Sequence, residues 1–135
     1  VVADVVDRFE RQFNLTIEHE VVISKAVGWQ ASVEVATAVY RVMGEALNNV
    51  VKHAQTDHAW VSLTEANDHL RLEIADNGVG CQEMTLSVPE LVRRQHLGLV
   101  GMFEWAEMTR GNLRMVRRQP RGTAVILEIP LEPNL

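Results

Sequence analysis

Cysteine is nearly absent: Cys81 is the only one in 135 residues. No internal disulfide can form, which fits a reducing, cytoplasmic setting better than a stapled secreted fold. No apolar run approaches the length that a membrane-crossing helix needs. There is no basic excess either. The formal net charge is -5, which argues against general nucleic-acid binding and means that an anionic ligand needs local positive charge. Aromatic residues make up only 5%. Trp29, Trp60 and Trp105 lack an accompanying basic stripe and read as packing residues rather than base-stacking platforms. Among the five histidines no pair has the spacing of a zinc site. His19, His58 and His69 fall on strand-like segments, and His53 closes a helix, where the dipole favours a cation. There is no Gly-x-x-x-x-Gly-Lys-Ser/Thr loop, and the glycines are spaced too loosely for a dinucleotide fingerprint. The chain opens without Met and without a signal peptide. The expectation is one domain of a longer protein whose other parts could be membrane-anchored.

What is present suffices for one domain with a real core: 47% of the residues are hydrophobic. Val2, Val5, Val6, Phe9 and Phe13 recur at helical spacing and predict an amphipathic helix over 2–13. Asn14 to Ser24 is rich in Val and Ile and predicts a strand or strand pair, followed by a connection at Gly28 to Ala31. Ser32 suits the N-cap of a long helix reaching about His53, with Val35, Val39, Val42, Ala46 and Val50 as its buried stripe. His58 to Thr64 and His69 to Asp76 predict a hairpin turning at Glu65-Ala-Asn-Asp68. Positions 81–97 have no clean period and contain Pro89, so they predict a long functional loop with room for one helical turn. Leu99 to Arg110 predicts a helix closed by Gly111. Leu113 to Arg118 and Thr123 to Leu131 predict a last hairpin across Gln119-Pro-Arg-Gly122. The order α, β, α, β, β, loop, α, β, β, with its hairpins, implies a two-layer α/β (α+β) sandwich. Its antiparallel strands are covered on one face by about three helices.

Four short segments carry chemistry. Glu45 and Asn49 lie one helical turn apart, and at about 100° per residue Lys52 falls within roughly 60° of them, where the helix leaves the core. Magnesium takes oxygen ligands and keeps several waters, so an Asn oxygen could bind it while a Glu holds its waters. The same face also fits a solvated stripe with an Arg41–Glu45 pair. Asp76 continues the alternation of Leu70, Leu72 and Ile74, which turns its carboxylate toward the core. An inward carboxylate needs a hydrogen-bond donor, and an adenine amino group would serve. Asn77-Gly78 could be a plain hairpin turn, but the residues after Gly80 do not alternate like a returning strand. Gly78 and Gly80 then suit backbone that passes close to a ligand. Thr123 shares parity with Val125, Leu127 and Ile129 and faces the same way, though it also fits an ordinary strand position. Gly98 and Gly101 bracket the start of a helix, whose free amides suit phosphate. Lys52, Arg93, Arg94 and His96 flank these segments and could supply positive charge.

In this order, Glu45-Ala-Leu-Asn-Asn49, Asp76-Asn-Gly-Val-Gly80, Gly98-Leu-Val-Gly101 and Gly122-Thr123 resemble the GHKL ATPase superfamily of gyrase, MutL, heat-shock chaperones and histidine kinases. The fuller run Glu45-Ala-Leu-Asn-Asn-Val-Val-Lys-His-Ala54, with Gly98-Leu-Val-Gly-Met102, is similar to bacterial sensor histidine kinases of the nitrate-sensor and DesK-like group. The resemblance runs from about Val33 to Pro130. It implies a Bergerat fold, with a mixed, mostly antiparallel sheet backed by helices and a lid at about 81–97. It implies ATP as ligand, with magnesium held by Asn49. Glu45 would polarise the attacking group or hold metal-bound water. Asp76 would take the adenine amino group with help from Thr123. Lys52, His53, Gly78, Gly80, Gly98, Leu99, Val100 and Gly101 would complete the ATP site. The implied partners are a dimerisation domain of the same protein, which carries the phosphoacceptor histidine, and through it a response regulator. None of the histidines here has that acceptor context, so this chain should bind ATP without phosphorylating itself. Two alternatives stay open: an anti-sigma-factor-type serine kinase of the same fold, and a nucleotide-binding regulatory module without phosphotransfer.

Overall fold

The computed structural model describes residues 2–23, 32–80 and 87–131. The expected connection at Gly28 to Ala31, the lone Cys81 and the first part of the expected lid lie outside them.

Helix α1, Val2–Gln12, buries Val2, Val5, Val6 and Phe9, the stripe that its spacing sets. Phe13 falls just past its end and stacks on Phe9 at a ring distance of 5.7 Å. The Val- and Ile-rich segment that follows is a single strand, β1, Thr16–Val22. Helix α2, Val33–Asn49, starts where Ser32 Oγ accepts the Val35 N–H at 3.3 Å. It buries Ala38, Val39, Val42, Met43, Ala46 and Leu47. Its α-geometry stops at Asn49 rather than at His53. Val50–Ala54 form a wider π-turn that closes at Gln55 in the left-handed conformation. The 100° rule that aligned Lys52 with Glu45 and Asn49 therefore fails over the last step.

Strands β2, His58–Ala66, and β3, His69–Asp76, pair in register up to Ala66 opposite His69. The connection is tighter than the expected four-residue turn: Asn67 and Asp68 alone make it, both at positive φ. That two-residue geometry matches the twist of the strands and suits Asn and Asp. Helix α3, Val88–Arg93, lies inside the span expected to be mostly loop. Ser87 caps it by accepting the Glu90 N–H, and Leu91 anchors it, fully buried. Helix α4, Leu97–Met108, begins two residues before the expected start. Its end is a left-handed stop at Arg110. The Gly111 N–H reaches the Ala106 carbonyl at 2.7 Å and the Arg110 N–H reaches Glu107 at 3.0 Å. Strands β4, Asn112–Arg117, and β5, Thr123–Pro130, complete the sheet.

The strand order is β1-β2-β3-β5-β4. Strands β1 and β2 run parallel, joined through α2, and all other neighbours are antiparallel. Residues of one parity (Ala59, Val61, Leu63, Leu70, Leu72, Ile74, Val125, Leu127, Ile129) form the main core with the four described helices. The opposite face carries only a small apolar patch of Ala75, Ala124 and Ile126 beside Trp60 and Val116. The result is the expected mixed two-layer sandwich, with a fourth short helix added. Asp76 and Thr123 end neighbouring strands β3 and β5 on the helix-covered face.

Candidate nucleotide site

The register Ala75 opposite Ala124, carried one step further, sets Asp76 beside Thr123. Both point into a cavity under the end of α2. Its lining is Asn49, Val50, His53 and Ala54 from the helix end, Ile74, Asp76 and Gly80 from β3 and its loop, and Met115, Thr123 and Val125 from the last hairpin. The wall is mostly apolar, with polar groups from Asn49 and His53 on the helix side and from Asp76 and Thr123 on the strand side, the usual build of a small-molecule site.

Asp76 is 6% exposed and Thr123 8%, the only buried polar or charged side chains among the described residues. The Gly78 N–H donates to Asp76 Oδ1 at 2.8 Å, which fixes the carboxylate and leaves Oδ2 without a partner among the described residues. Thr123 Oγ1 is buried with no hydrogen-bond partner among the described residues. A buried polar atom left unpaired costs about 1–3 kcal/mol. An acceptor pair held ready on an apolar wall fits a flat ring with an exocyclic amino donor, and adenine is such a ring.

Close approach explains Gly78. Val79 N–H donates to the Ala54 carbonyl at 2.8 Å, and a methyl group on Gly78 would collide with that same carbonyl. The loop after β3 is thereby clamped to the end of the π-turn. Gly98 is held by a second close approach: a side chain there would run into the Glu45 carboxylate, which packs against the first turn of α4. Helix α4 has no acid in that turn and no side-chain cap, so its first amides are available to an anion.

The expected site residues divide into groups. Asn49, His53, Asp76, Gly80 and Thr123 line one cavity. Glu45 and Gly98 touch each other, and neither lines the cavity. Leu99 and Val100 are buried in the core, so their side chains pack and only their backbone can serve a ligand. Gly101 is half-buried in α4, and nothing lies within 4 Å of where a methyl group would stand. Lys52 is exposed and does not line the cavity. Among the described residues no group of three or more His, Cys, Asp or Glu could hold a metal.

Several contributors lay outside the candidate set. Val50, Ile74, Met115 and Val125 supply the apolar lining, and their strand and helix parity was the available signal. Arg118 Nη1 donates to the Asp76 carbonyl at 2.7 Å, and Arg121 Nε donates to the Gly78 carbonyl at 3.0 Å. No motif marks these arginines. Thr56 Oγ1 donates to Asn77 Oδ1 at 2.6 Å and holds the exposed rim of the same loop.

The fold and these groups define an α/β sandwich with a ligand-sized cavity between the helix layer and the strand ends. Residues 34–133 match the family described as "Histidine kinase-, DNA gyrase B-, and HSP90-like ATPase", and the chain belongs to that family. The oxygen sensor histidine kinase NreB of Staphylococcus carnosus is 39% identical over 98 residues, covering 73% of this chain and 27% of that protein. The nitrate/nitrite sensor protein NarX of Escherichia coli K12 is 32% identical over 93 residues, 68% of this chain and 14% of that protein. The chain thus spans about a quarter or less of these two relatives. The blue-light activated histidine kinase of Erythrobacter litoralis superposes with a TM-score of 0.73 at 21% identity, over 96% of this chain and 40% of that one, a likeness of fold. The domain is therefore of the ATP-binding, histidine-kinase type.

Proposed function

We propose that this domain binds Mg-ATP and presents its γ-phosphoryl group to a histidine on a dimerisation domain of the same, longer protein. A response regulator would receive the phosphoryl group from that histidine. The observation that carries the nucleotide reading is the Asp76–Thr123 pair. One carboxylate oxygen is fixed by Gly78, and among the described residues the other has no partner and the buried Thr123 hydroxyl is unpaired. In this reading the adenine amino group donates to Asp76 Oδ2, and Thr123 meets the ring directly or through water.

The phosphates then run toward Asn49 and the first turn of α4, which has no acid of its own and no side-chain cap. His53 at the cavity lip and exposed Lys52 beyond it supply positive charge. With no cluster of acids among the described residues, a magnesium ion would rest on the Asn49 side-chain oxygen and the phosphate oxygens, the usual low count of protein ligands for this ion. Bound there, magnesium would neutralise charge on the phosphates. Glu45 stands one turn from Asn49 against Gly98. It would orient the attacking group or a water, and placement in line would be the domain's main contribution. The sensor kinases among the relatives support the histidine acceptor.

The test is calorimetric titration of ATP and ADP, with and without magnesium, into this chain and into Asp76→Ala. Binding by the parent chain and loss in a folded variant is the expected result. A folded parent chain that binds neither nucleotide would remove the reading.

A further inference from the structure

The open face of the sheet holds a row of stacked side chains that ends on the backbone of the Asp76 turn. Glu18 on β1 meets His58 on β2, with Oε2 and Nε2 3.0 Å apart. The His58 ring stands 4.5 Å from the Trp60 ring, centroid to centroid. The Arg118 guanidinium lies over the indole, its Cζ 4.8 Å from the ring centroid. The same guanidinium donates through Nη1 to the Asp76 carbonyl at 2.7 Å.

Small side chains make room for this arrangement. Trp60 is paired with Ala75, and Ala75 with Ala124, so the indole covers two alanines where larger residues would lift it away. Stacking on an aromatic face fixes the plane of a guanidinium and so the direction of its N–H groups. The β4–β5 turn adds a second hold, because Arg121 Nε donates to the Gly78 carbonyl at 3.0 Å. Arg118 itself is tied into that turn, its N–H meeting the Gly122 carbonyl at 2.9 Å. The carbonyls of residues 76 and 78 are thus gripped from the open face, while the Asp76 side chain projects into the cavity on the other face. The Asp76 carbonyl belongs to the peptide plane that follows this residue, and the β-ladder at Ala75 holds the plane before it; with both planes held, the direction of the Asp76 side chain is set.

We propose that Arg118 is a positioning residue for nucleotide selection: stacked on Trp60, it aims the Asp76 carboxylate at the amino group of the base, with Arg121 in a supporting role. This rests on the adenine reading above, and it adds a residue on the opposite face of the sheet that touches no ligand.

ATP and inosine triphosphate separate positioning from general support, since the inosine base carries a carbonyl in place of the amino donor. Affinities of both nucleotides would be measured by calorimetry for wild type, Arg118→Ala, Arg118→Lys and Trp60→Phe, with circular dichroism as the fold check. Wild type should prefer ATP. In Arg118→Ala the ATP affinity should fall about tenfold, the effect of one good hydrogen bond to a charged donor, with inosine triphosphate almost unchanged. The ratio between the two nucleotides should therefore collapse. Arg118→Lys can still donate but stacks less well, and should fall between. Equal weakening of both nucleotides, or an unchanged ratio in folded variants, would overturn the positioning role while leaving the adenine site intact. A wild-type chain that fails to prefer ATP would sink the Asp76 reading itself, and this inference with it. If Arg118→Ala does not fold, Arg118→Lys and Trp60→Phe decide by the same ratio.

Discussion

Asp76 and Thr123, at the strand end of the cavity, are buried, flanked by β-ladder pairs, and set by Gly78, Arg118 and Arg121. At the helix end, Glu45 and Asn49 are half-buried and Lys52 and His53 are exposed. Among the described residues no hydrogen bond fixes any of those four side chains. The strand end is preorganised: its side chains have already lost their freedom on folding and lose little more on binding. The helix end keeps rotamer freedom, which a ligand must remove at a cost of about 0.5–1.5 kcal/mol per long side chain. In the proposed reading, the rigid end would recognise the base and the soft end would adjust to the phosphates. That division suits a site that must hold one group still while another is passed on.

Asp76→Ala tests the rigid end most severely. The base amino group would enter an apolar wall unpaired. A hydrogen bond to a charged partner contributes about 1.5–3 kcal/mol, so ATP affinity should fall on the order of a hundredfold. Calorimetry alongside circular dichroism reads this. A folded variant that binds ATP as well as wild type would mean that base recognition does not reside at the strand end.

Two glycines separate the ends by stability. A methyl group on Gly78 would meet the Ala54 backbone carbonyl, which the π-turn holds in place. Overpacking against an unyielding backbone costs about 1–3 kcal/mol, so Gly78→Ala should lower the denaturation midpoint clearly. A methyl group on Gly98 meets only the far end of the Glu45 side chain, which can swing aside. Gly98→Ala should cost less than about 1 kcal/mol of stability and act instead on turnover in the full-length protein, by displacing Glu45. Equal destabilisation by both would erase the distinction between a rigid and a soft wall.

Thr123→Val should give effects of opposite sign. Removing a buried hydroxyl without a partner relieves a desolvation cost, so the nucleotide-free domain should gain up to about 1 kcal/mol. ATP affinity should drop several-fold if the hydroxyl serves the base. Loss of stability in the free domain would show that the hydroxyl is satisfied in solution, leaving Asp76 alone as the polar anchor.

Much of the rigid end was legible in the sequence because strand parity is a short-range rule. Asp76 and Thr123 continue the alternations of Leu70–Ile74 and Val125–Ile129, and the ladder placed both on the helix side, as the pattern requires. The stripes of α1 and α2 were legible for the same reason at period 3.6. The soft end was less so. The π-turn at Val50–Ala54 carries no composition signal, and it undid the angle that grouped Lys52 with Glu45 and Asn49. Helix α3 carries only Ser87-Val-Pro-Glu90 as a signal, a capping pattern with no apolar period around it. The parallel pairing of β1 with β2 spans the whole of α2, and hairpin rules speak only to neighbours. Arg118 and Arg121 were invisible because their partners are backbone carbonyls far along the chain, and no spacing encodes those.

The smallest effect concerns the outermost link of the open-face row. The Glu18 carboxyl is held below its ordinary value of 4.5, first by its hydrogen bond to His58 and then by one to Trp60. A depressed carboxyl stabilises the fold fully above the ordinary value and loses that contribution as pH falls through the folded one. The pair is exposed, so the effect is slight. Denaturant melts of wild type and Glu18→Gln should differ a little at pH 7, and the difference should vanish as pH falls below 4.5 toward the depressed folded value. ATP affinity at pH 7 should be the same in both, because Trp60 remains packed over Ala75 and Ala124 and still carries Arg118. A variant that loses ATP affinity while keeping its stability would show that the strand end is set from as far out as β1, and that its rigidity is held by polar links rather than by packing.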